Sequence, residues 1–340
     1  MSRRMSILTL IILTGLAGAC SQQEEANTDP ADAAFNAVNA ALSEADTSKE
    51  TAELVEGFLA EFPDSEHSGW AATMIVHYRA DTMKDPEGAY KILSATLEQI
   101  ESPKARFDVS MQMLTLSDSV EVPLEVGEVA AALSAARPLT FAEHEQVAVN
   151  ATAFEEWALA REHSAAAFEL ATPETFRAEY GKWGLSDDDL AKWLQHFKAF
   201  YRAHEGWAAY NLGDTEPAFA LFAESDAIGI ESYLGVPTTP LYSFWGRAAL
   251  AEGDIDRAIE LLGAQTLFGE DGSSAKPFLR EAYLAKGGDD DAFDEFLWST
   301  RTNLAAAVDD FELSDYDGNT VTLSKAGEGK VMLLAFWYPT

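Results

Sequence analysis

Three segments late in the chain share one frame. "AYNLGDTEPAFALF" starts at Ala209, "ALAEGDIDRAIELL" at Ala249 and "AYLAKGGDDDAFDEFL" at Ala282. Aligned on Gly213, Gly253 and Gly287, each carries an alanine five residues later: Ala218, Ala258 and Ala292. Each also carries a large apolar residue three before the glycine: Tyr210, Leu250 and Leu284. Glycine permits the backbone that a tight turn between helices needs. Alanine lets two helices approach closely. A single helical hairpin cannot bury its apolar face alone, so a chain that repeats this frame is constrained to stack hairpins into an array. The three alanines are expected to be buried where paired helices touch.

From Ala33 to about Ala307 the composition is that of helices. Ala, Leu and Glu dominate, and apolar residues recur at steps of three and four. "FPDSEH", "KDPEG", "ESPKA", "EVPLEVG", "ARPLT", "ATPET" and "GVPTTP" punctuate this region, and each Pro or Gly cluster ends a helix. "EEWALAREHSAAAFELA", from Glu155 to Ala171, reads as a more degenerate unit. Between about Tyr201 and Trp298 the frame resembles the tetratricopeptide repeat, whose period is about 34 residues. The resemblance implies a helical-hairpin array, a scaffold that binds protein partners or holds domains apart.

Charge narrows the partners. With 23 basic and 57 acidic residues in 340, the net charge is −34. Such a surface repels phosphate backbones and anionic lipid, which argues against nucleic acid. The helical region offers no H-E-x-x-H, no Gly-rich phosphate loop and no G-x-S-x-G elbow, so neither metal nor cofactor is expected. His204 lies on a stripe with Trp193, Phe197, Phe200 and Trp207, at steps of four and three. As a base in an aromatic pocket it would be functional. As a buried core residue with a satisfied nitrogen it is structural, and that reading is preferred. The acidic runs "SDDDL" and "GGDDDAFDEF" lack calcium-loop spacing and stand where helices begin, at the positive end of the helix dipole.

The first twenty residues have another character. "MSRRMSILTLIILTGLAGAC" places Arg3 and Arg4 before an apolar run from about Ile7 to Leu13, then small residues. That is the pattern of a secretory signal peptide, too short to span a bilayer. "LAGAC" resembles the lipobox of bacterial lipoproteins, with Leu16 one place further from the cysteine than is usual. The resemblance implies cleavage before Cys20 and lipid attachment to it. Cys20 is the only cysteine in the chain. Ser21, in place of aspartate, implies sorting to the outer membrane, facing the periplasm. Residues 21–32, "SQQEEANTDPAD", read as a polar tether.

The last thirty residues change period. "NTVTL" alternates as a half-buried strand does, a D-G turn stands at Asp317–Gly318, and "VMLLAFWY" is continuously apolar, as in a central parallel strand. This stretch resembles the opening of thioredoxin-fold proteins of the TlpA-like and AhpC/TSA (redoxin) group. Phe311, Leu313, Asp315, Asp317, Gly318, Val321 and Leu323 match the first half of that group's pattern. Gly329, Lys330, Val331, Leu333, Phe336 and Trp337 match the second. In that group the strand delivers a C-x-x-C at the start of the next helix, which here is expected just beyond Thr340. No catalytic residue is therefore expected within the 340 residues.

The resulting expectation is a mostly α protein: a helical-hairpin (tetratricopeptide-like) array followed by a β-hairpin/strand fragment of a thioredoxin-like fold. Its parts are a signal peptide (1–19), a tether (20–32), a helical repeat domain (33–307) and an incomplete thioredoxin-like domain (308–340). The resemblances imply a membrane-anchored lipoprotein of the cell envelope, the N-terminal part of a thiol–disulfide oxidoreductase with a redox protein partner. The alternatives are a non-enzymatic scaffold lipoprotein that binds protein partners, and a peroxiredoxin-like peroxidase, which "FWYPT" resembles more weakly.

Overall fold

The computed structural model describes residues 29–42, 47–229, 240–269, 272–304, 310–314, 319–322, 324 and 325. Cys20, the Asp317–Gly318 turn and the strand expected at Val331–Tyr338 lie outside the described residues. The chain is mostly helical, with a two-stranded antiparallel sheet near its C-terminus. It divides into two compact units between Ala248 and Ala249. Among the described residues no helix is long and apolar enough to cross a membrane.

In the first unit the helices run α1 (Pro30–Leu42), α2 (Ser48–Glu61), α3 (Ser68–Ile75), α4 (Pro86–Leu97), α5 (Pro103–Leu114) and α6 (Val126–Ser134). They continue as α7 (Phe141–Ala153), α8 (Trp157–Leu170), α9 (Pro173–Tyr180), α10 (Asp187–Asn211) and α11 (Thr215–Gly229), and α12 (Leu241–Ala251) starts in this unit and ends just past the division. A π-helical stretch, Val76–Thr82, prolongs α3. The proline clusters mark helix starts as well as stops. Pro86, Pro103 and Pro173 each occupy the first turn behind a capping Asp85, Ser102 or Thr172. A proline there forfeits only an N–H that has no helical partner. α1 begins at Pro30, three residues before the expected Ala33, because the Asp29 carboxylate accepts the Ala31 N–H at 2.9 Å.

The repeated glycines turn the chain as the frame requires. Gly213, Gly253 and Gly287 all have positive φ, at 89°, 82° and 93°. Gly213 donates its N–H to the Tyr210 carbonyl, and Asp214 donates to that of Ala209. Gly253–Asp254 and Gly287–Gly288 repeat the same pair of bonds. This is the Schellman closure of a helix C-terminus, which needs a left-handed residue at its corner. The large apolar residue three before each glycine is the one whose carbonyl the glycine closes on.

Two further corners turn through a left-handed residue that is not glycine. Glu155 has φ 58° and lies between α7 and α8, with Glu155 N–H on the Thr152 carbonyl and Glu156 N–H on that of Ala151. Lys84, also at φ 58°, turns the π-helical stretch into α4, and there Asp85 N–H reaches back to the Arg79 carbonyl. Five residues after these corners come Ala89 and Ala160. Both are fully buried, as are Ala218 and Ala258. The same spacing thus recurs at four corners, two of them hidden from the glycine alignment by Lys84 and Glu155.

Ala292 corrects the expectation. It is half-buried, in a 3-10 turn (Asp290–Ala292), and the neighbouring Phe293 is buried in its place. The cause is Gly288. It occupies the position where the other corners carry an acidic residue, so the cap moves one residue on to Asp289, which accepts from the Asp291 N–H. The buried position moves with it.

The second unit packs α13 (Ile255–Phe268), α14 (Gly272–Ala285) and α15 (Phe293–Leu304) around Ala258, Leu262, Leu279, Ala282 and Phe293. Ala258→Leu forces extra methylenes into that contact and is expected to cost about 1–3 kcal/mol in urea unfolding. Asp256→Leu, at an exposed site, is expected to stay within about 0.5 kcal/mol. Equal tolerance at the two positions would refute the corner register.

β1 (Glu312–Ser314) and β2 (Thr320–Thr322) pair antiparallel, with Leu313 opposite Val321 and Glu312 opposite Thr322. The Asp310 carboxylate accepts from the Ser324 N–H at 2.9 Å and from its hydroxyl at 2.6 Å, tying the base of the hairpin.

Candidate functional site

The densest set of buried titratable groups in the described residues lies where α7 meets α8 and α10. α7 opens on a capping box: Glu143 N–H binds Thr140 Oγ1, and Glu143 Oε2 accepts the Thr140 N–H. Successive residues on a helix point about 100° apart, so Glu143, His144, Glu145 and Gln146 address four directions. Glu143 receives Arg137 at 2.6 Å and 2.8 Å and lies 3.6 Å from Lys104, which also holds Asp108. Burial pushes the Glu143 carboxyl up, but the Arg137 hydrogen bond and the Thr140 N–H more than offset this, and its pKa falls below the ordinary range.

His144 Nδ1 stands 3.0 Å from His163 Nδ1 on α8. Burial holds both imidazoles below their ordinary pKa, and His163 falls to about 4. Glu145 Oε2 accepts the Tyr201 hydroxyl of α10 at 2.6 Å. Burial pushes its carboxyl up to about 7, because a single hydroxyl does not replace the water it has lost. The Tyr201 phenol is held up by burial and by the facing Glu145. Gln146 Oε1 and Ser164 Oγ are buried without a hydrogen-bond partner.

His204 lies on α10 where the stripe predicts. It is buried, hydrogen-bonded to Thr152 Oγ1 at 3.2 Å, and edged by Phe200 and Phe244. That is the core reading. The stripe itself divides between two clusters. Trp193 and Phe197 join Phe176 and Tyr180, whereas Trp207 stacks on Phe244 at 5.0 Å. Burial lowers the His204 pKa to about 4. The folded state then binds fewer protons than the unfolded state below about pH 6.5. Stability is lost as pH falls from there, and the loss levels off below about 4. His204→Gln should therefore remove about 2 kcal/mol of the stability difference between pH 7.5 and pH 5 in urea unfolding. An unchanged pH dependence in that variant would contradict the neutral, buried state.

The acidic runs cap helices. Ser186 accepts the Asp189 N–H, Asp187 and Asp188 pair with Arg177 and Lys192, and Asp290 grips Arg280 through two bonds of 2.6 Å. Elsewhere Asp32, Glu66 and His67 bring three possible ligand atoms within 4.8 Å of one another. His67 Nε2 is already 3.0 Å from Asp32 Oδ1, and its ring stacks on Phe35 at 3.8 Å. An open groove of about 520 Å³ lies between α2 and α4. Leu59, Ile92 and Thr96 line it, together with Arg79, which is fixed to Glu56 and Asp85, and with Lys91.

Sequence reading found His204 but neither the His144–His163 nor the Glu145–Tyr201 contact, whose members stand 19 and 56 residues apart. One signal was available. Glu145 falls four residues after Phe141 and three before Ala148, on the inward stripe of α7, where a carboxylate demands a partner.

These observations define a mostly helical protein with left-handed hairpin corners and a short C-terminal β-hairpin. No protein-family model matches the chain, and no curated protein is similar to it.

Proposed function

We propose that the chain is the lipid-anchored, helical N-terminal part of an envelope thiol–disulfide oxidoreductase. Its tetratricopeptide-like array would carry a redoxin domain that begins near residue 308. The observation that carries this reading is the register of the hairpin. The redoxin-like pattern marks Leu313 and Val321 as apolar, and these two residues stand directly opposite each other across β1 and β2. Both are substantially exposed, at 58% and 40%. A cross-strand apolar pair stabilises a sheet only when the face it forms is covered, as the body of a thioredoxin-like domain would cover it. The reading frame after Thr340 tests the proposal. It should encode Cys at once, then two residues and a second Cys. A frame that continues without cysteine would sink it.

The scaffold reading stands second and is favoured by the groove between α2 and α4. In that reading the helical body recruits a protein partner and performs no chemistry.

A further inference from the structure

We propose that His144 and His163 form a two-nitrogen site for a soft monovalent metal ion, Cu(I). The two rings face each other from the packed helices α7 and α8, with centroids 4.7 Å apart and planes inclined at 46°. The same atom of each ring, Nδ1, points at its counterpart 3.0 Å away. Two neutral imidazoles satisfy that approach only if one is protonated at Nδ1 and donates to the other. A metal ion takes the place of the shared proton. The donor ring gives up its Nδ1 proton and gains one at Nε2, so both ligands remain neutral imidazoles and no net proton is released.

The donor set selects the ion. Imidazole nitrogen suits zinc, copper, iron and nickel, whose divalent ions take sites of more than two ligands, whereas calcium and magnesium require oxygen. Zinc sites use at least three protein ligands. Among the described residues the one three-ligand group of His, Cys, Asp or Glu is Asp32, Glu66 and His67, so no third residue of these types joins this pair. A closed-shell ion content with two ligands in line is what remains. Metal–nitrogen bonds of about 2 Å require about 4 Å between the nitrogens, so the rings must part by about 1 Å. His144 can supply this movement because it is only half-buried, while His163 is held inside. Glu143 and Glu162 act on His144 as negative charges and offset in part the burial that disfavours positive charge there.

The test uses the 340-residue chain carrying Cys20→Ser, so that the thiol takes no copper. Under anaerobic conditions at pH 7.5 the protein competes for Cu(I) held by bicinchoninate, a coloured chelator. One equivalent should be withdrawn, and His144→Gln and His163→Gln should each lower the affinity at least tenfold. X-ray absorption of the loaded protein should show two nitrogen neighbours and no sulfur. If the buried His163→Gln variant fails to fold, the half-exposed His144→Gln variant decides alone. Failure of the parent chain to take up Cu(I) would overturn the proposal, as would undiminished uptake by His144→Gln. Tighter binding of Zn(II) than of Cu(I) at the same pair would overturn the assignment of the ion. None of these outcomes depends on cysteines encoded after Thr340, so they leave the redox reading to its own test.

Discussion

The protein extended through the residues encoded after Thr340 in its gene should reduce insulin disulfides in the presence of dithiothreitol, and the 340-residue chain should not. In the redoxin-like reading the first new cysteine stands at a helix N-terminus, where the dipole and a neighbouring thiol favour the thiolate. That thiolate attacks one sulfur of the substrate disulfide, forms a mixed disulfide and expels the other sulfur as a thiolate. The second cysteine then attacks the mixed disulfide and releases the substrate as a dithiol. Two protein thiols are oxidised to one disulfide, and dithiothreitol restores them. Two cysteines close together are indispensable to this cycle. The 340-residue chain has one, Cys20, and cannot close an internal disulfide. Replacing the first new cysteine by serine should return the extended protein to the background rate. An extended protein no faster than the 340-residue chain would leave the scaffold as the surviving reading.

The hairpin corners show what a sequence discloses and what it conceals. Gly213 and Gly253 announced theirs because a left-handed residue is easiest as glycine, and the alanine five residues on fell in the helix contact as the frame required. Glu155 and Lys84 concealed theirs. A non-glycine residue tolerates positive φ when its surroundings fix it, and nothing local in "FEEW" or "MKDP" reports those surroundings. At Gly287 the glycine was read correctly and the alanine was not, since one inserted residue moves the cap and brings Phe293 inward. The buried polar contacts were harder still. His144 meets His163, and Glu145 meets Tyr201, only after helices have paired, and pairing is a property of the whole array. The β-hairpin was legible in part: alternation with period two is local and marked β2, but alternation alone does not set Leu313 opposite Val321, and β2 is mostly exposed where a half-buried strand was expected.

Cys20→Ser should abolish palmitate labelling in a Gram-negative host and move the protein from the membrane to the soluble fraction. The expectation rests on the first twenty residues. The apolar run from about Ile7 to Leu13 is far shorter than the roughly 20 residues needed to cross a hydrocarbon core. Among the described residues no helix supplies such a span. Electrostatic attachment fails as well, because a chain of net charge −34 is repelled by anionic lipid. In the lipid-anchored reading, acyl chains on Cys20 are the route to the membrane, and they would suffice. Each buried methylene contributes about 0.8 kcal/mol, and two acyl chains already give stable attachment. Washing membranes with concentrated salt should release little of the parent protein, since salt screens charge but does not weaken acyl burial. Palmitate incorporated into the Cys20→Ser variant would defeat the anchor. A variant that is unlabelled yet still sediments with salt-washed membranes would show that a second element holds the protein there.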